Sequence, residues 1–190
     1  LTTVRAARAA GAAVTAEAAP PHFTLTDEAV ASYDPVFKVN PPLRPRSDVD
    51  AVKAALADGA LDAIATDHAP HPPEDKELPF DQAPPGMLGL EPALALAMTE
   101  LDLPLPALLG LLSWQPARIA RLDGTHGGPV AEGRPANLCV IDPAATWEVD
   151  PARLASRSRN TPYAGRKLTG RVRHTLLAGE LVVVDGEAQR

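Results

Sequence analysis

The chain has one cysteine, Cys139, and five histidines in 190 residues. A single cysteine forms no intramolecular disulfide, which excludes the disulfide-stapled secreted class and makes a reducing cytoplasm the expected compartment. Cys139 sits in the apolar run Leu138-Cys139-Val140-Ile141, where the expectation is a buried strand thiol. No apolar run approaches the roughly 20 residues of a membrane span. No charged stretch followed by a hydrophobic one opens the chain as a signal peptide would. Positive charge is not in excess: 18 Lys and Arg stand against 24 Asp and Glu, a net charge of −6, which argues against a nucleic-acid backbone as partner. Arg153, Arg157, Arg159, Arg166, Lys167, Arg171 and Arg173 are concentrated late, among turn residues, and read as a solvated face. No internal repeat is visible.

What is present suits a packed domain, or a domain and a small appendage. Hydrophobic residues make up 45% and charged residues 22%, enough apolar surface for a core and too little charge for a disordered chain. The 21 prolines cluster in short runs between apolar segments, the mark of many ordered loops. The chain opens at Leu1, directly in helix-like sequence, and a truncated start is expected.

Residues 4–10 are Ala/Arg-rich and helical, closed by Gly11. Residues 13–16 read as a short buried strand and residues 35–40 as a second, ended by Pro41-Pro42. Ser47 is a helix N-cap candidate, followed by Val49, Val52, Ala55 and Leu56 at helical spacing. Residues 61–66 read as a third strand with Asp67 at its C-terminal end. Helix alternating with strand is the βα pattern of a parallel sheet or barrel. A long loop, residues 68–88, then precedes helices over 90–101, 104–112 and 115–122; loops of that length are often functional. From Gly124 onward glycines punctuate short β-like runs, and Leu177-Ala178-Gly179-Glu180 reads as a tight hairpin. The expected division is residues 1–122, an α/β part, and residues 123–190, a small β unit.

Three clusters bear chemistry. In Asp67-His68-Ala69-Pro70-His71 a carboxylate ends a strand and two imidazoles follow. In βα-barrels the strand C-termini and the loops after them hold catalytic groups, and an Asp there can ligate a divalent metal and shuttle a proton. The same residues also read as an Asp N-cap with incidental histidines. Asn40, held by Pro41 and Pro42, is a rigid amide able to donate and accept, or simply a strand terminator. Gly86 and Gly89 permit close backbone approach to a ligand, or form an ordinary helix lead-in.

Taken in order, these segments closely resemble dihydroorotases of the longer-chain type within the cyclic amidohydrolase superfamily. Val39-Asn40-Pro41-Pro42-Leu43-Arg44, Asp58-Gly59, residues 61–71, Glu74-Asp75-Lys76-Glu77, Phe80 and residues 86–91 carry the resemblance. Val14-Thr15-Ala16-Glu17, Pro21-His22-Phe23, Gln115-Pro116-Ala117-Arg118, residues 133–138 and residues 156–165 extend it nearly end to end.

The resemblance implies the C-terminal part of a (β/α)8 barrel followed by a small β-sandwich segment. It also implies the reversible hydrolysis of L-dihydroorotate to N-carbamoyl-L-aspartate in pyrimidine synthesis, with one or two zinc ions. By the same resemblance Asp67 is the acid–base group and a zinc ligand, Asn40 and His71 bind substrate, backbone groups of Pro85 and Gly86 contact it, and His68 supports the site from behind. Departures exist: Pro21 precedes His22 where the family has a histidine, Pro85 stands where the family has Phe and lacks an N–H, and Asn137 replaces an aspartate of the β unit. Of His22, His68, His71, His126 and His174, only His68 and His71 are closely spaced. A zinc site takes three or four protein ligands, so this stretch alone is expected neither to hold zinc tightly nor to catalyse. A small-molecule substrate, homo-oligomerisation and association with aspartate transcarbamoylase are further expectations. The alternatives are a hydantoinase or allantoinase, and a non-catalytic scaffold subunit for aspartate transcarbamoylase.

Overall fold

The computed structural model describes residues 1–189. Helix α1 (Thr2–Ala9) ends ahead of Gly11, whose φ of +84° lies in the left-handed region that a glycine enters without a Cβ clash. Arg8 of α1 pairs with Asp62 and donates to the Gly59 carbonyl at 2.9 Å, while Asp62 also accepts the Ala16 N–H at 2.8 Å. One carboxylate thus fastens α1 and the approach to strand β1 (Glu17–Ala18) to the start of strand β2 (Ala63–Ile64). The two strands are parallel neighbours, Glu17 opposite Ala63 and Ala18 opposite Ile64. Bonds from Asp62 N to Ala16 O (2.7 Å) and Ala65 N to Ala18 O (3.1 Å) extend the ladder at both ends. The strand expected at 13–16 therefore lies slightly later, and that expected at 61–66 is regular only at its centre.

Residues 35–40 are not a strand. Asp34 accepts the Val36 N–H at 2.9 Å and caps a 3-10 turn over Pro35–Phe37. Proline at the first position fixes the φ that such a turn needs. The Asn40–Pro41 peptide that follows is cis. Between β1 and this turn lie helix α2 (Pro21–Thr24) and a 3-10 helix, Asp27–Ser32. Helix α3 (Arg46–Ala57) starts after Pro45, so Ser47 lies inside its first turn rather than capping it. Its buried face, Val49, Ala55 and Leu56, follows the expected helical spacing.

The long loop contains a single short turn of helix, α4 (Pro73–Lys76). Helices α5 (Ala93–Glu100), α6 (Leu105–Leu109) and α7 (Gln115–Ile119) follow, with a π-helical turn, Gly110–Trp114, joining the last two. Phe23, Leu56, Ile64, Leu108 and Leu111 share the core between these helices and the parallel pair.

Strands β3 (Leu138–Glu148), β4 (Lys167–Leu177), β5 (Glu180–Val184) and β6 (Glu187–Ala188) form one antiparallel sheet in sequence order. The β4–β5 hairpin is the expected tight turn. Leu177 faces Glu180, and both loop residues, Ala178 and Gly179, have positive φ (52° and 90°), the signs of a type I′ turn matched to strand twist. At one end the sheet rests on α5, where Leu168, Val149 and Tyr163 pack with Ala95 and Leu96; this core crosses the expected division at residue 122. Cys139 lies at the other end, opposite Thr175, and is exposed rather than buried. An apolar run marks a strand but not which stretch of it is covered.

Arg153, Arg157, Arg159 and Lys167 are exposed, as expected of a solvated face. Arg166 instead turns to Glu100, which also pairs with Lys53 at 2.8 Å, joining α3, α5 and the approach to β4. Among the described residues no helix is long and apolar enough to cross a membrane.

Candidate active site

Asp67 follows β2 with a φ of +47° and is exposed. Asp is among the few side chains that enter the left-handed region at modest cost. The carboxylate therefore stands at an abrupt turn where the strand hands over to the loop.

His68 is fixed by its own ring. Its backbone forms a parallel bridge with Met87, and its Nδ1 accepts the N–H groups of Gly89 and Leu90, each at 3.2 Å. An acceptor Nδ1 leaves the proton on Nε2. Ala69 adds a bond from its N–H to the Met87 carbonyl at 3.0 Å. Gly89 is a steric requirement, since a Cβ there would run into the carbonyl oxygen of Thr66.

His71 is half-buried, with both ring nitrogens engaged: Nε2 lies 3.2 Å from the Pro85 carbonyl and Nδ1 lies 3.4 Å from an Asp75 carboxylate oxygen. Gly86 has a φ of +130°, and a Cβ on it would come within 2.6 Å of the Ala69 Cβ and 2.9 Å of His71 Nε2. The Gly86 N–H donates to the Lys38 carbonyl at 2.8 Å. Pro85 lacks an N–H and that of Gly86 is committed to Lys38, while the Pro85 and Gly86 carbonyls face His71 Nε2 and Asn160 Nδ2.

Asn40 is exposed, and its side chain has no hydrogen-bond partner among the described residues. Beside it, the Pro41 carbonyl accepts a bond from His22 Nε2 at 2.8 Å. Behind Asn40, Val39, Leu43 and Met87 share a small core. The segments carrying Asn40, Asp67 to His71 and Pro85 to Gly89 are thus drawn together by main-chain bonds and a common apolar base.

Two lysines and an asparagine in this assembly have roles that sequence reasoning does not assign. Lys38 Nζ donates to the carbonyls of Phe80 (2.7 Å), Asp81 (3.2 Å) and Ala83 (2.6 Å). Lys76 Nζ crosses the same gap to Pro35 O (3.2 Å) and Pro84 O (2.8 Å). Burial, and then the nearby Lys38 ammonium, hold Lys76 below the usual lysine range, against the pull of Asp75 and Asp34. The asparagine is Asn160, whose buried amide joins the His71 loop to the Gly86 turn. The one available signal was an Asn ahead of Thr161-Pro162, in a segment noted only for its resemblance.

A sequence profile described as the amidohydrolase family matches residues 1–182. The chain belongs to the amidohydrolase family. A dihydroorotase of Streptomyces coelicolor is 53% identical over 97% of this chain and 44% of its own length. A dihydroorotase of a Geobacter species is 47% identical over 96% of this chain and 43% of its own. Among solved structures, L-hydantoinase (dihydropyrimidinase) from Arthrobacter aurescens matches all of this chain and 43% of its own, with a TM-score of 0.90 at 27% identity. The chain therefore spans a little under half the length of the relatives it matches, and its α/β architecture is that of part of an amidohydrolase barrel.

Within this amidohydrolase chain a groove of about 450 Å³ lies at the opposite end of β2, lined by Leu56, Leu61, Asp62, Leu111 and Arg118 among others. It contains none of the residues of the motif loops. The described residues include no group of three or more His, Cys, Asp or Glu side chains placed to share a metal. His68 Nδ1 and both nitrogens of His71 are already engaged. Asp67 is a suitable carboxylate donor, but these residues alone do not make a zinc site.

Proposed function

We propose that the protein carrying this chain is a dihydroorotase, catalysing the reversible hydrolysis of L-dihydroorotate to N-carbamoyl-L-aspartate. One observation carries the reading: Asp67 follows β2 on the loop that carries His71, and main-chain bonds tie that loop to the Gly86 turn and the turn to Lys38, two residues before Asn40, in a chain 53% identical to a curated dihydroorotase. In the proposed reaction Asp67 takes the proton of the attacking water and returns it to the amide nitrogen as the ring C–N bond breaks. Its exposure leaves the carboxylate accessible for that exchange.

Asn40, with a free amide, bonds the ring. His71 holds the substrate carboxylate. Its Nε2 faces the Pro85 carbonyl, an acceptor that a carboxylate can replace without moving a proton. Gly86 contributes by the side chain it lacks, and His68 keeps the loop in register with Gly89. Zinc dependence belongs to the same proposal, with Asp67 as one ligand of one or two ions and the other ligands outside these residues. So do a cytoplasmic location, homo-oligomerisation, association with aspartate transcarbamoylase, and a division into a barrel part, residues 1–122, and a β part, residues 123–190.

A hydantoinase reading is favoured by the TM-score of 0.90 to L-hydantoinase, but at 27% identity it ranks second. The scaffold reading loses support from the retention of Asp67 and His71 together. Turnover of L-dihydroorotate and of hydantoin by the protein at its full encoded length separates these readings. The proposal requires hydrolysis of dihydroorotate, dependent on bound zinc; hydantoin turnover alone, or no turnover, would sink it.

A further inference from the structure

We propose that Asn160 is a positioning residue that sets His71 and the Pro85-Gly86 turn in the geometry needed to bind the cyclic substrate. The inference rests on the dihydroorotase reading above and assigns a role to a residue that reading does not use.

Asn160 is 7% exposed. Its Oδ1 accepts the His71 N–H at 3.2 Å, from 89 residues away in sequence. One Nδ2 hydrogen serves the Ala69 carbonyl at 2.9 Å and the other the Gly86 carbonyl at 3.3 Å. Its own main-chain carbonyl accepts the Leu88 N–H at 3.0 Å. Both amide donors are taken, so Asn160 has none left for a ligand and acts through the loops it joins.

The joint is tight. A Cβ on Gly86 would lie 2.6 Å from the Ala69 Cβ and 2.9 Å from His71 Nε2. Any slip of residues 69–71 against residue 86 therefore changes the distance from His71 Nε2 to the Pro85 carbonyl, 3.2 Å here. Asn160 is itself anchored. Thr161 Oγ1 accepts the Tyr163 N–H at 3.3 Å, and the buried Tyr163 is bonded to Thr24 of α2. A rigid turn from the β part of the chain thus holds two loops of the barrel part. Packing alone would be served by an apolar side chain of this size. An amide whose three side-chain bonds join two loops, two to residues 69–71 and one to Gly86, does what packing does not require.

The test uses the protein at full encoded length, with Asn160→Asp, Asn160→Leu and Asn160→Ser. Asn160→Asp keeps the acceptor for His71 but sets an oxygen against the Ala69 and Gly86 carbonyls. Asn160→Leu removes all three side-chain bonds. Kinetics are taken well below each variant's Tm and normalised to folded enzyme. A small loop displacement weakens substrate binding without removing Asp67, so KM for dihydroorotate rises about tenfold or more in Asn160→Asp and Asn160→Leu while kcat changes by about threefold or less. Asn160→Ser, which can keep part of the network, falls between. A merely structural role lowers the folded fraction or Tm and leaves the KM of the folded enzyme alone. Unchanged KM in the folded variants, or failure of all three to fold, would overturn the inference while wild-type turnover left the functional reading standing. A wild type inactive on dihydroorotate would remove that reading and this inference with it.

Discussion

The hydroxyls of Tyr163 and Thr24 lie 2.9 Å apart in the core, though 139 residues separate them in sequence. Thr24 Oγ1 donates its only proton to the Pro20 carbonyl at 2.8 Å, so the phenol must be the donor to Thr24. Burial pushes the Tyr163 phenol above its usual range, and the Arg166 charge pulls the other way without reversing it. The bond fastens helix α2 to the segment that carries Asn160.

Tyr163 makes stability fall in alkali. Its folded pKa is raised, so its contribution is fully present below the unfolded value near about 10 and declines as pH rises above that value, where the unfolded chain releases a proton the folded one retains. In Tyr163→Phe this dependence disappears, and stability at neutral pH falls by about 1–2 kcal/mol for the lost bond to a buried hydroxyl. Thermal melts of both proteins between pH 7 and about 11 measure it. The wild type should lose its advantage as pH rises, and a constant gap across the range would contradict the argument.

His68 works as an acceptor, which an asparagine can imitate. In His68→Ala the N–H groups of Gly89 and Leu90 lose the Nδ1 they share, at a cost of about 1–3 kcal/mol. The Oδ1 of His68→Asn falls near the former Nδ1 and should recover much of that loss. Denaturant unfolding of the three proteins gives the order wild type, Asn, Ala. If Ala and Asn variants are equally unstable, the Nδ1 bonds are not what the ring contributes.

Sequence reasoning found what is local. Gly11 after α1, the helical face at Val49 and Leu56, the turn at Asp67 beyond β2 and the Ala178-Gly179 turn are fixed by neighbours within a few residues. It failed where a local contact beat a pattern, as when Asp34 capped Pro35–Phe37 into a turn despite the apolar Val36, Phe37 and Val39. It also failed where the partner is remote. The exposure of Cys139 depends on α5 covering only the far end of the sheet. Lys38 and Asn160 bond carbonyls and amides that carry no side-chain signature. In the candidate site the motif residues were legible, and the groups that brace them were not.

Asp67 carries two separable burdens, its carboxylate and its backbone conformation. With φ at +47°, a residue tolerant of the left-handed region keeps the turn, whereas alanine adds about 1 kcal/mol of strain. Asp67→Asn should therefore melt close to the wild type and Asp67→Ala slightly lower, with the fold intact in both. Neither has a carboxylate to carry the proton, and turnover of dihydroorotate should fall by at least about 10³-fold in each. Activity surviving in Asp67→Asn would show that the proton travels through another group.

Lys38 holds the long loop shut from beneath. Its ammonium meets three carbonyls of residues 80–83 and lies 5.4 Å from the Phe80 ring centroid. Lys38→Met keeps the apolar stem but leaves part-buried carbonyls unpaired, a local cost of about 1–3 kcal/mol. A loop that opens on its own is cleaved in proportion to its open population, and each 1.4 kcal/mol shifts that population about tenfold. The peptide after Lys76, inside the segment that Lys38 secures, is a trypsin site. Under brief native digestion its cleavage should accelerate about tenfold in Lys38→Met, while Tm, set by the distant core of Phe23, Ile64 and Leu108, drops little. Equal cleavage rates would mean that the loop is held by Lys76 and the Gly86 to Lys38 main-chain bond alone. A parallel fall in Tm would mean that it opens only with the whole fold.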